Sequence, residues 1–149
     1  MHEDEFTLID DVVWPSAEGE DHHLVDYQTQ ELVSKLWSKY LAQARADLAP
    51  STVVPAVRRV SYALDNEAFP GQALQRGIRM AGRSRRACTF AGALWHADDG
   101  RMISSGEIVT VFVEPGKGSV EVPQDFWEAV ERMEGRTIPV TERAAPGRA

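Results

Sequence analysis

Between Val57 and Glu114 the chain passes through four segments of apolar-polar alternation separated by short turns, and these follow directly on one long amphipathic helix. Few folds accommodate that order. Val60, Tyr62 and Leu64 alternate with Arg59, Ser61 and Ala63, the two-residue period of a strand with one buried face. Pro70-Gly71 turns the chain, and Leu74, Arg76, Ile78 and Met80 mark the next strand. Gly82-Arg83-Ser84 turns it again into Arg86–His96. Asp98-Asp99-Gly100 then closes a hairpin onto Met102–Val113, with Gly100 suited to the left-handed position such a loop needs. Turns this short join antiparallel neighbours, so the sequence predicts a meander that must share its buried face with the helix.

The elements on either side are also legible. Phe6–Val13 reads as a first strand ended by Trp14-Pro15, and residues 16–23 (SAEGEDHH) as an acidic loop. From about Asp26 or Thr29 to Leu48 the period becomes helical. Leu32, Val33, Leu36, Trp37, Tyr40, Leu41 and Ala44 form a broad apolar stripe, with Lys35, Lys39, Gln43 and Arg45 away from it. Ala49-Pro50-Ser51 stops this helix, and Pro55 limits how early the next regular strand can begin. The last two long strands are rich in small residues: Ala87, Cys88, Ala91, Gly92, Ala93, Ser104, Ser105 and Gly106. A helix laid closely across a curved sheet accounts for them; a bulge with undemanding surface positions is the other account. Pro115-Gly116-Lys117-Gly118 is a turn. Pro123 stands at a first helical position ahead of Phe126, Trp127, Val130 and Met133, and Gly135 ends that helix. The tail from about Thr141 to Ala149 reads as frayed.

Composition narrows the function classes. At 149 residues the chain is expected to be one domain, with its core in about residues 6–134. No apolar run approaches bilayer-spanning length, and the acidic start is the wrong sign for a secretory leader. The single Cys88 excludes an internal disulfide and fits a reducing cytosol, so a soluble, cytoplasmic protein is expected. A net charge of -7 without a basic stripe argues against nucleic acid. A Gly-x-Ser-x-Gly elbow, a phosphate-binding Gly-rich loop and a dinucleotide fingerprint are all missing. Cys88 lies in a strand pattern without a nearby His and reads as a structural thiol. The spacing of Glu20, Asp21, His22 and His23 lacks a recurring ligand signature, so no metal is expected.

Strand, loop, long helix and four-strand meander together resemble the hotdog thioesterases. The local pieces that carry the likeness are Arg59-Val-Ser-Tyr-Ala-Leu64, the Pro70-Gly71 turn, the strand pair around Asp99-Gly100-Arg-Met-Ile-Ser, and Val122-Pro123 opening a final helix. Trp37-Ser-Lys-Tyr40-Leu-Ala-Gln-Ala-Arg45 looks like the helix of the hydroxybenzoyl-CoA thioesterase branch, where aromatic residues three apart precede an Ala-Arg pair. The resemblance implies an α+β hotdog domain, a curved antiparallel sheet wrapped around a long central helix. It also implies hydrolysis of an acyl-CoA or acyl-carrier-protein thioester, with coenzyme A as part of the substrate and no separate cofactor. Partners implied are the thioester and further copies of the chain, in a homodimer or homotetramer.

The implied site falls between Glu18 and Glu31. One branch carries Asp-x-x-Gly-His-x-Asn-Asn there, against Glu18-Gly19-Glu20-Asp21-His22 in this chain, with Leu24-Val25 where the asparagines stand. Another carries His-Gly-Gly and an acid about two helical turns on; here His22 precedes Glu31 by nine residues, with His23-Leu24 in place of the glycines. Glu31, Asp26 and Glu18 are therefore candidate acids, as base to activate water or nucleophile on the carbonyl carbon. A first-turn acid favoured by the helix dipole is the competing account of Glu31, and an N-cap that of Asp26. His22 and His23 are candidates to orient a carbonyl or share a proton. The helix start would hold the developing oxyanion. Arg79, Arg83, Arg85 and Arg86 cluster about one turn, and the resemblance implies that Arg83 or Arg85 contacts the nucleotide phosphates. Leu36 and Tyr40 would lie beside the acyl chain. Two other functions stay open on the same fold: an acyl-CoA or apolar-ligand binding domain without catalysis, and a dehydratase or hydratase pairing His22 with Glu31 or Asp26.

Overall fold

The computed structural model describes residues 2–13 and 26–141, with backbone alone for 26–28. After a single 3₁₀ turn (Glu3–Glu5) come β1 (Leu8–Val13), α1 (Asp26–Arg45), β2 (Val54–Leu64), β3 (Ala73–Arg83), β4 (Ala87–His96), β5 (Met102–Glu114), β6 (Gly118–Val120) and α2 (Gln124–Glu134). The strands form one antiparallel sheet in the order β1-β3-β4-β5-β2, with β6 added to β5. This is the α+β arrangement that the resemblance implies, with α1 on the concave face.

The elements differ from the sequence reading in several places, among them the end of α1, at Arg45 rather than Leu48. β2 begins at Val54 and so contains Pro55, paired with Phe112. Proline lacks an N–H, but β2 lies at the edge of the sheet, where one side of the strand needs no donor. β3 runs on to Arg83, so the expected Gly82-Arg83-Ser84 turn moves into Ser84–Arg86, closed by Ser84 N–H donating to Ala87 O at 2.9 Å. β6 was not expected. It pairs with Phe112–Glu114, on the stretch of β5 beyond Val111 where its register with β4 ends. In α2, Pro123 is the residue before the first helical position, and Gly135 ends the helix at φ 72°, its N–H donating to Glu131 O.

The core lies between α1 and the concave face. Leu32, Val33, Leu36, Tyr40, Leu41 and Ala44 are all buried, as their spacing requires. The small-residue stretch explains how close the helix comes. A Cβ at Gly92 would lie 2.6 Å from Val33 Cγ1, inside any tolerable contact. Tyr40 meets Phe90 edge-on with centroids 5.2 Å apart, and α2 closes one end of the core through Phe126 against Phe112 at 4.9 Å. Among the described residues no helix is long and apolar enough to cross a membrane.

The two edges of the sheet are treated differently. β1 covers β3 as far as Thr7 N–H, which donates to Ile78 O. Beyond it the Glu134 carboxylate accepts Met80 N–H at 2.8 Å, and Arg136 donates to Met80 O. Pro139 and Thr141 then bond the backbone of Arg83. The β3 edge is thus sealed by strand, side chains and the chain after α2. Among the described residues nothing pairs with the outer side of β2, where Val54, Val57 and Leu64 are exposed. On the convex face the first residues of the chain cover β3 and β4. Phe6 lies over Gly77 and stacks on Trp95 at 5.5 Å, and His2 Nε2 donates to Gly100 O.

Candidate functional site

The amino-terminal part of α1 is anchored by a charge cluster. Asp10 on β1 is directly opposite Arg76 on β3, and both face α1. Arg76 Nε donates to Asp10 Oδ1 at 2.6 Å and Nη2 to Oδ2 at 3.1 Å, a forked pair, while Nη1 donates to the Leu32 carbonyl of the helix at 2.6 Å. Lys39, further along α1, donates to Asp10 Oδ2 at 2.6 Å. Arg76 is 7% exposed. Burial alone would raise the Asp10 carboxyl, but hydrogen bonds and charge from Arg76 and Lys39 outweigh it and hold the group below the usual carboxylate range. The sequence carried the signal: Arg76 occupies an inward position between Leu74 and Ile78, and an inward arginine in a strand needs a carboxylate.

A second cluster lies nearer the far end of α1. The Glu134 side chain is 1% exposed. Its Oε2 accepts from Tyr40 Oη at 2.5 Å and from Met80 N–H, and its Oε1 accepts from Thr7 Oγ1 at 2.7 Å and pairs with Arg136 at 3.2 Å. Burial, and then the hydrogen bond to Glu134, push the Tyr40 phenol well above its ordinary value. This carboxylate ties four segments together, which makes it a structural group. It also lines an open cleft of about 610 Å³ with Asp4, Glu5, Phe6, Thr7, Arg79 and Arg136.

The candidate residues fall into separate groups. Glu18, His22 and His23 lie outside the described residues, and Asp26 begins α1. Glu31 is exposed in the second turn of α1 and pairs with Lys35 at 3.5 Å, both side chains being well over half accessible. Such a pair is easily opened. Leu36 and Tyr40 are fully buried, with the Tyr40 hydroxyl already engaged. Arg83 donates to Glu131 Oε2 at 3.1 Å and lies 4.4 Å from the centroid of the Trp127 ring. Arg85 is exposed and pairs with Glu121. Arg83 and Arg85 share a cleft of about 210 Å³ with Ser84, Gln124 and Trp127. This cleft lies at the β3–β4 turn, whereas Glu31 lies in the second turn of α1.

Two polar groups went unnoticed in the sequence. Tyr62 Oη and Ser104 Oγ are buried without a hydrogen-bond partner among the described residues. Each such hydroxyl costs about 1–3 kcal/mol relative to a partnered one. Alternation had marked Tyr62 as inward but said nothing of what its hydroxyl meets. The other inward hydroxyl on β5, Thr110, accepts from Trp37 Nε1 at 2.9 Å. Cys88 is buried, and burial pushes its thiol far above the range of a nucleophile. Among the described residues no group of three or more His, Cys, Asp or Glu is placed to hold a metal ion.

No protein-family model matches the chain, and no curated protein matches it by sequence. Solved structures do share its fold. A thioesterase from Thermus thermophilus, complexed with coenzyme A and Zn, superposes with TM-score 0.73 at 19% identity, covering 89% of this chain and 98% of the other. A 1,4-dihydroxy-2-naphthoyl-CoA thioesterase from Synechocystis gives 0.68 at 12% identity, covering 82% and 93%. A protein from Pseudomonas aeruginosa strain PAO1 gives 0.74 at 16% identity over 93% and 96%. The chain therefore shares the hotdog fold of these structures, in which a curved antiparallel sheet wraps a central helix.

Proposed function

We propose that this chain hydrolyses the thioester of an acyl-coenzyme A or acyl-carrier protein at the amino-terminal end of α1. The likeness over nearly the whole chain to a thioesterase complexed with coenzyme A carries this reading. Fold alone does not define chemistry, so the roles rest on the residues. α1 has two acids, Asp26 and Glu31, both in its first two turns. Glu31, loosely held by Lys35, takes a proton from water as the water attacks the carbonyl carbon. The oxyanion that forms is stabilised by the positive end of the α1 dipole. Collapse of the tetrahedral intermediate breaks the carbon–sulfur bond, and the thiol leaves with the proton. Glu18, His22, His23 and Asp26 are the further candidates in this stretch.

Arg85 is the better of the two phosphate candidates. Its single rim pairing with Glu121 exchanges readily for a phosphate, whereas Arg83 is committed to both Glu131 and Trp127. Leu36 and Tyr40 support the acyl site from within the core. The open β2 edge favours a homodimer joined through that strand, and stacking of such dimers would give a tetramer. The exposure of Glu31 also favours one second reading, acyl-CoA binding without hydrolysis. Release of free thiol from a panel of acyl-CoAs, short to long and aryl, separates the two. Saturable turnover supports the hydrolase; tight binding by calorimetry with no thiol released supports the binding domain.

A further inference from the structure

Two rungs of the sheet place the unpartnered hydroxyls beside the amino-terminal half of α1. The register Asp10–Arg76–Leu94–Ser104–Leu64 forms one rung of the concave face, and Leu8–Ile78–Gly92–Gly106–Tyr62 the next. α1 rests on the β3–β4 part of both rungs: Arg76 holds the Leu32 carbonyl, and Val33 fills the space over Gly92. Ser104 is the position after Leu94 on the first rung. Tyr62 is two positions beyond Gly92 on the second, about 10 Å away at ordinary strand spacing. Its ring leans back toward the helix, because a Cβ at Gly106 would lie only 2.4 Å from Tyr62 Cδ1. Glycine at 106 is what lets the ring take that course. Ser104 is fully buried, and the Tyr62 hydroxyl is out of contact with water.

These are the two side-chain atoms among the described residues that are buried and unpaired. They are diagonal neighbours on adjacent strands, both on the face that carries the helix. Phe and Ala are close in shape and would avoid the cost, so two such hydroxyls side by side call for a partner beyond the described residues. An unsubstituted alkyl chain cannot provide one. We propose that Tyr62 and Ser104 are specificity determinants that hydrogen-bond an oxygen substituent, a hydroxyl or oxo group, on the acyl part of the substrate. This rests on the thioesterase reading above and names the class of acyl group that the site selects. A site built to bond a substrate oxygen discriminates strongly against the analogue lacking it, because its own hydroxyls then stay buried and unpaired.

The test compares matched acyl-CoA pairs differing by one oxygen, hexanoyl with 3-hydroxyhexanoyl and benzoyl with hydroxybenzoyl, on wild type, Tyr62→Phe and Ser104→Ala. Thermal unfolding of each ligand-free protein is measured alongside. The expected wild-type preference for at least one oxygenated member is about tenfold or more in kcat/KM, falling to within about threefold in either variant, with most of the loss on the oxygenated member. The ligand-free variants are expected to melt at or above the wild-type temperature, since each loses an unpaired buried group. A preference that survives both substitutions, or equal rates within every pair, overturns the proposal while leaving a thioesterase in place. A lowered melting temperature in both variants also overturns it, because the hydroxyls would then be serving the fold. If no thioester is turned over or bound, the hydrolase reading fails, and the melting temperatures alone decide whether the pair is reserved for a ligand.

Discussion

Arg76 is the residue on which the placement of α1 most depends. Its guanidinium spends three donors on two segments, forking onto Asp10 and reaching the Leu32 carbonyl. Arg76→Leu would remove the fork and leave Asp10 with Lys39 alone. We expect a loss of about 2–4 kcal/mol in chemical denaturation, near that for breaking a largely buried pair. The sign of the pH dependence follows from Asp10. Its native carboxyl lies below the ordinary value, so the stability it contributes is complete above that ordinary value, about 3.9, and drains away as pH falls through the lower native one. Denaturant midpoints between pH 2 and 6 should therefore fall on the acid side more steeply for wild type than for Asp10→Asn. At this scale the sequence was half legible. Arg76 was visibly inward, but its partner lay sixty-six residues away on a strand whose register no local pattern fixes.

At the scale of elements, alternation and helical period identified β1, α1, the four long strands and α2, because each buries one face and so writes its period into the chain. β6 escaped because three residues carry no period, and the start of β2 was misplaced because proline forbids a central strand but is harmless at an edge. The acids proposed for catalysis were named from the resemblance. Proximity to the helix start is legible in sequence, but which carboxylate faces a substrate depends on side-chain placement that spacing leaves undetermined. The small-residue stretch did encode geometry. Gly92 lets α1 approach until Val33 occupies the space of its missing side chain. Gly92→Val should therefore cost about 1–3 kcal/mol, read as a lowered denaturation midpoint. The same change at Thr89, on the opposite face of that strand, should have little effect.

For the whole molecule, the proposed assembly rests on the unequal edges of the sheet. β3 is sealed by β1, Glu134, Arg136 and the chain after α2, while among the described residues the eleven-residue β2 is an open edge with exposed Val57 and Leu64. Sedimentation is expected to show a dimer that Val57→Lys with Leu64→Lys converts to monomer, with the intrinsic fold retained by circular dichroism. A wild-type monomer at every concentration would remove the edge from the account. The central claim remains the chemistry at the start of α1. Its most direct measurement is single-turnover hydrolysis of an acyl-CoA under enzyme excess, comparing wild type with Glu31→Gln after calorimetry has established binding by both. The account predicts a rate at least about 100-fold lower in Glu31→Gln, with affinity unchanged within about threefold. A variant as fast as wild type would contradict it and place the base on another residue.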